Sequence, residues 1–116
     1  MITAIIPKLP FIDKNKTLSF YETLDFEVIA DYGDYCIISK DAFEIHLLHF
    51  KNLNPLKSDF MIYIRLITDI EKMYLKLQEK QLEIHPNGKL EKKPWNQIEF
   101  SILDPNGTLL TFGQSI

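Results

Sequence analysis

Glu99-Phe100-Ser101-Ile102-Leu103-Asp104-Pro105-Asn106-Gly107-Thr108-Leu109-Leu110-Thr111-Phe112 reads as a β-hairpin with its turn written into the sequence. In Asp104-Pro105-Asn106-Gly107 the proline presets φ near about −65°, asparagine tolerates the left-handed region, and glycine enters it without steric penalty. The runs on either side are rich in β-formers, so both arms are predicted as strands. Working back from this hairpin, the same order of elements recurs twice in the chain.

In the first half, residues 2–9 read as a strand interrupted by Pro7 and followed by Pro10, which places it at an edge or bend, or makes it a movable arm. Asp13 can cap a helix whose apolar positions are Leu18, Phe20, Tyr21 and Leu24, with Lys16 and Glu22 outward and Asp25 at its end. Phe26 to Ala30, Tyr35 to Ser39 and Phe43 to Leu48 read as three strands, the first two joined by a turn over Asp31 to Asp34. A polar connector follows, Lys51-Asn52-Leu53-Asn54-Pro55-Leu56-Lys57-Ser58. Then the order restarts. Phe60 to Leu66 is a strand, Asp69 a cap, and Ile70, Met73, Tyr74 and Leu77 a helical stripe. Leu82 to Ile84 reads as a short strand, Lys89 to Lys93 as a solvent loop, and the opening hairpin closes the set. The expected architecture is α+β, two tandem βαβββ modules forming cupped mixed β-sheets, in one domain spanning 1–116 with modules at about 1–54 and 58–116.

Composition narrows the function classes. A chain of 116 residues, 46% hydrophobic and 25% charged, suits a soluble fold of this size rather than disorder or a membrane span. Residues 1–8 reach Pro7 and Lys8 before a signal-type hydrophobic region develops, so the expected address is cytoplasmic. A net charge of −3 weighs against nucleic acid and is compatible with a cationic ligand. Cys36, the single cysteine, excludes an internal disulfide and reads as a small buried hydrophobe. The 4 glycines form no phosphate-binding pattern. Lys89, Lys92 and Lys93 are interrupted by Glu91, which favours a solvated loop over a nucleic-acid patch.

Leu18-Ser19-Phe20-Tyr21-Glu22-Thr23-Leu24-Asp25-Phe26 and Asp104-Pro105-Asn106-Gly107-Thr108-Leu109-Leu110 resemble the helix end and final hairpin of the vicinal oxygen chelate superfamily, which includes glyoxalase I, extradiol dioxygenases and bleomycin-resistance proteins. The resemblance spans essentially the whole chain, and Asp25 replaces the usual glycine. Within the superfamily the likeness is to bleomycin-resistance proteins. Asn54-Pro55-Leu56-Lys57-Ser58-Asp59-Phe60 resembles their connector, Pro94-Trp95 resembles a tryptophan that packs on the bound drug, and Tyr35 falls at another groove aromatic. This implies a homodimer, with or without an exchanged N-terminal arm, that sequesters a flat, cationic glycopeptide antibiotic and thereby confers resistance.

Enzymes of the superfamily hold a divalent metal with ligands from four strands. Carried onto this chain, the resemblance puts those positions at Ile6, His46, Ile62 (or Tyr63) and Thr111, of which only His46 is a good ligand. The expectation is no metal, no cofactor and no catalysis. Glu44 and His46 share a strand face from which His49 points away, so at most two of the three converge. The expected ligand-binding residues are Trp95, Tyr35, Tyr32, His46, Phe60, Ile62 and Asp59, with Asp31 and Asp34 as further acidic attractors. Trp95 is read either as a plug over the core or as a partly exposed platform. The alternatives are a metal-dependent glyoxalase, thiol transferase or dioxygenase-like enzyme with relocated ligands, or a small-molecule sensor.

Overall fold

The computed structural model describes all residues, Met1–Ile116, and the chain divides into two compact units. The first comprises Met1–Ser58 together with Pro105–Gly107, and the second Asp59–Asp104 with Thr108–Ile116.

The first unit runs β1 (Lys8–Phe11), α1 (Lys14–Thr23), β2 (Glu27–Asp31), β3 (Tyr35–Lys40), β4 (Phe43–His49) and a short 3₁₀ turn at Pro55–Lys57. Its sheet has the order β1-β4-β3-β2, with β1 parallel to β4 and the other pairs antiparallel. The first strand starts at Lys8, later than the predicted residue 2. It lies at the sheet edge, where prolines do least damage to a ladder. Leu9, Phe11, Tyr21, Leu24, Cys36, Ile38, Ile45 and Leu47 are buried as the core. Burial pushes the Cys36 thiol pKa up, helped by the nearby Asp31 carboxylate, as suits a packing residue.

Helix α1 is set by its ends. Asp13 has extended backbone and its Oδ1 accepts from Lys16 N at 3.1 Å. Beyond Leu24, Asp25 takes φ 69° while Phe26 N donates to Tyr21 O, so aspartate does the work of a helix-ending glycine. Replacing Asp13 with alanine is expected to lower unfolding free energy by about 1 kcal/mol, measured by urea denaturation followed by circular dichroism.

The second unit contains β5 (Met61–Leu66), α2 (Ile70–Glu79), β6 (Glu91–Lys93), β7 (Gln97–Leu103) and β8 (Leu109–Ser115), with sheet order β5-β8-β7-β6. Here too the first strand is parallel to the last, and the hairpin is antiparallel. Ile70, Leu77, Phe100, Ile102, Leu110 and Phe112 are buried, with Tyr74 edge-on to Phe100 at 5.2 Å.

Three predicted details of this unit differ. Leu82–Ile84 is not a strand, since only Ile84 bridges, to Ile102. Residues 91–93, expected in a loop, form the edge strand β6 paired with Gln97–Glu99; a short strand of charged residues has no apolar alternation to betray it and discourages edge association. Asp69 makes no side-chain capping bond, and Gln114 Oε1 accepts from Ile70 N at 2.9 Å instead. The end of α2 repeats that of α1, with Gln81 at φ 60° and Leu82 N bonded to Leu77 O.

The turn at the tip of the hairpin is built differently from the prediction in one respect. Gly107 alone takes positive φ, 79°, and Asn106 does not. Asn106 is instead buried, with Oδ1 accepting from Ile12 N and Nδ2 donating to Thr17 Oγ1. Asp104 Oδ1 accepts from Thr108 N at 2.9 Å.

Candidate functional site

The sheet face opposite the buried core of the first unit carries a continuous polar chain. Antiparallel register puts Ile37 beside His46 and Ser39 beside Glu44, and parallel register puts Lys8 beside His46. Tyr35 OH lies 2.5 Å from His46 Nδ1, and His46 Nε2 lies 2.9 Å from Glu44 Oε2. The Lys8 ammonium stands 5.5 Å over the Tyr35 ring, within cation–π range. Tyr35 and His46 are thus brought together, and one face of the Tyr35 ring is already occupied by Lys8. Tyr32 lies apart in the β2–β3 turn, 75% exposed. Asp31 is not a free attractor: its carboxylate bonds Lys14 Nζ and Gly33 N. The Gly33 amide first and Lys14 next hold its carboxyl pKa below the usual aspartate value. Asp34 approaches His49 Nδ1 at 3.7 Å.

In the second unit the corresponding face is organised by Glu99. This side chain is 7% exposed, and its Oε2 accepts from both Trp95 Nε1 at 2.8 Å and Tyr63 OH at 2.7 Å. Tyr63 reaches it because Gly113, which faces Glu99 in the ladder, has no side chain; a Cβ there would lie 1.7 Å from the phenol oxygen. Arg65 stands 5.6 Å over the Tyr63 ring. Burial, and next the bond to Glu99, raise the Tyr63 pKa. Trp95 remains 59% exposed, so it does not plug the core. Tied by its nitrogen edge, the indole leaves much of its ring accessible to a flat group.

A shallow pocket of about 140 Å³ adjoins it, lined by Asn87, Gly88, Lys89, Lys93, Trp95, Glu99, Phe100, Ser101 and Thr111. Ser101 and Thr111 hydroxyls bond each other at 2.8 Å, and Lys93 pairs with Glu91. The other residues expected in this unit are placed elsewhere. Ile62 is registered with the buried Leu110 and so belongs to the core-facing side, a correction that follows from period-two alternation. Phe60 is half-buried just before β5, its carbonyl accepting from Leu109 N, and Asp59 is exposed beside it.

The register also corrects the metal-ligand positions implied by resemblance. Lys8, rather than Ile6, is registered with His46, and Tyr63, rather than Ile62, with Thr111. An ammonium, a phenol held by Glu99 and a hydroxyl held by Ser101 are poor ligands for a divalent ion. Nowhere do three or more His, Cys, Asp or Glu side chains group in a way that could hold one. These residues do not fit a divalent metal. No helix is long and apolar enough to cross a membrane.

Sequence reasoning misses Glu99 and Gly113 and holds Tyr63 only as the alternative to Ile62. The signal for Gly113 is present, since a glycine inside a strand marks a site where another group approaches the backbone closely.

Comparison with known proteins adds three findings. Residues 8–112 match the model of the Glyoxalase/Bleomycin resistance protein/Dioxygenase superfamily. The chain is 26% identical over 114 residues to the bleomycin resistance protein of Klebsiella pneumoniae, covering 94% of this chain and 90% of that one, and 24% identical over 127 residues to that of Geobacillus stearothermophilus, covering 96% of each. Its structure is similar to a crystal structure of a bleomycin-binding protein complexed with bleomycin, with TM-score 0.87, 25% identity, and coverage of 99% and 100%.

Proposed function

The chain belongs to the Glyoxalase/Bleomycin resistance protein/Dioxygenase superfamily, and from that premise we propose that it is a non-catalytic binding protein that sequesters a bleomycin-like glycopeptide or a similar flat, cationic small molecule. The observation that carries this reading is Trp95. A large aromatic surface is left exposed while its nitrogen is tied to a buried carboxylate, in a chain whose whole length is similar to a protein seen with bleomycin bound. A pre-fixed aromatic side chain binds a flat ring with little ordering cost. Superfamily membership covers enzymes as well as binders. The absence of a ligand set around His46 supports binding over metal-dependent chemistry.

In this reading the protein acts in the cytoplasm as a homodimer, and residues 1–6, which precede the Pro7 carbonyl bonded by His46 N and carry no strand assignment, are the arm available for exchange. The proposed ligand contacts are Tyr32, Tyr35 and His46 in the first unit and Asp59, Phe60 and Trp95 in the second; Ile62, on the core-facing side of its strand, is not among them. Titration with bleomycin is expected to quench Trp95 fluorescence saturably, with two equivalents bound per dimer. Absence of both quenching and binding heat at high micromolar drug would refute the proposal.

A further inference from the structure

The Glu99 carboxylate has more hydrogen-bonding capacity than the protein uses. Both of its donors, Trp95 Nε1 and Tyr63 OH, converge on Oε2, and Oε1 makes no hydrogen bond within the protein. That second oxygen is not sealed from solvent, because it is absent from the fully buried atoms that lack a partner. Nor does a neighbouring cation form an ion pair with it. Lys93 is paired with Glu91, Arg65 lies over the Tyr63 ring, and neither forms an ion pair with Glu99. Glu99 thus lines the pocket beside the accessible indole of Trp95, a nearly buried residue with one carboxylate oxygen that the protein does not use.

We infer that Glu99 determines which ligands the Trp95 pocket accepts, and that it selects a cationic hydrogen-bond donor, an amidinium or ammonium, borne on a flat ring. A charged donor to a carboxylate forms a hydrogen bond roughly twice as strong as a neutral one. The same cation gains from the face of the indole. An anion in this place meets Glu99 across a short, poorly screened distance and is rejected. Lys89 lines the pocket but is exposed, so solvent and salt screen its repulsion of a cation. Ser101 and Thr111 are occupied with each other, which leaves Glu99 as the strongest acceptor facing the ligand.

This inference deepens the binding reading above and relies on it for placing ligand at Trp95. The test uses benzamidine and benzamide, which share a shape and differ in charge, with the full-length protein and Glu99→Gln. Wild-type protein is expected to bind benzamidine at least about tenfold more tightly than benzamide, by Trp95 fluorescence and calorimetry. Glu99→Gln is expected to bring the two affinities to within about twofold, since the neutral amide no longer distinguishes the charged from the uncharged donor. A role confined to holding Trp95 and Tyr63 would alter both affinities together. In wild-type protein the nitrogen–proton cross-peak of the Trp95 indole, which shares the carboxylate, should move with benzamidine and stay with benzamide; this readout stands even if the variant does not fold. Equal affinities in wild type, or a preference retained in Glu99→Gln, would overturn the inference. Bleomycin is titrated in parallel. Drug binding without an amidine preference refutes the Glu99 assignment alone, and an amidine preference without drug binding refutes the antibiotic reading alone.

Discussion

Gly107→Ala is expected to cost about 2–5 kcal/mol of unfolding free energy, from two effects that act together. The residue has φ 79°, where an L side chain costs about 1–2 kcal/mol. A Cβ there would also come within 2.1 Å of Pro55 O and 2.9 Å of Pro55 C. Those are backbone atoms, which cannot swing away as a side-chain terminus could, and overpacking of this kind costs about 1–3 kcal/mol more. Gly33 separates the two effects. It also has positive φ, 92°, but a Cβ on it would meet nothing within 4 Å. Gly33→Ala should therefore show the conformational cost alone, about 1–2 kcal/mol. Urea unfolding of both variants measures the difference, and equal losses would show that contact with Pro55 contributes nothing.

Trp95→Ala should weaken binding of bleomycin by about 2 kcal/mol, or about thirtyfold, with little change in unfolding midpoint. The ring is mostly exposed, so its removal takes little from the core. Truncating a rigid aromatic anchor at a binding surface is among the costliest changes such a surface can suffer. Trp95 is the single tryptophan, so the variant is read by calorimetry rather than fluorescence. Glu99 keeps Tyr63 as a donor in this variant, which limits rearrangement around the carboxylate. Leu75→Ala, which removes an exposed side chain of α2 outside the proposed site, should change affinity by less than about threefold. A Trp95→Ala effect no larger than that of Leu75→Ala would place the ligand elsewhere.

Much of the fold is legible in the sequence because its clearest signals are local. Asp13, Asp25 and the Asp104–Gly107 turn mark element ends by backbone chemistry, and both helical stripes have the spacing of a buried face. Legibility fails where local signals are silent or two-sided. β6 consists of Glu91-Lys92-Lys93, which looks like any polar loop until Gln97–Glu99 pairs with it. In β5, Met61-Ile62-Tyr63-Ile64 is apolar on both faces, so alternation does not decide which residue meets the core, and Ile62 is expected on the face that belongs to Tyr63.

The candidate site shows the same division. Trp95 stands out beside Pro94 in a polar setting, and His46 by its type. Glu99 reads only as one residue of a strand. Its importance comes from three separate strands and a loop: the Gly113 backbone leaves room, Tyr63 crosses from β5, and Trp95 folds back from the β6–β7 connection. No spacing rule encodes such a convergence. Asn106 likewise reads locally as a turn residue, although its amide serves Ile12 and Thr17 far away in sequence.

The assignment of Pro105–Gly107 to the first unit means that the backbone passes from one unit to the other three times, not once. A chain cut after Ser58 would therefore not yield two self-sufficient fragments. The amino-terminal fragment would lack the amide that satisfies Ile12 and Thr17, and would leave a buried hydroxyl and a peptide N–H without partners. The first unit is completed by three residues borrowed from the far end of the polypeptide, so its integrity waits on the last hairpin being made.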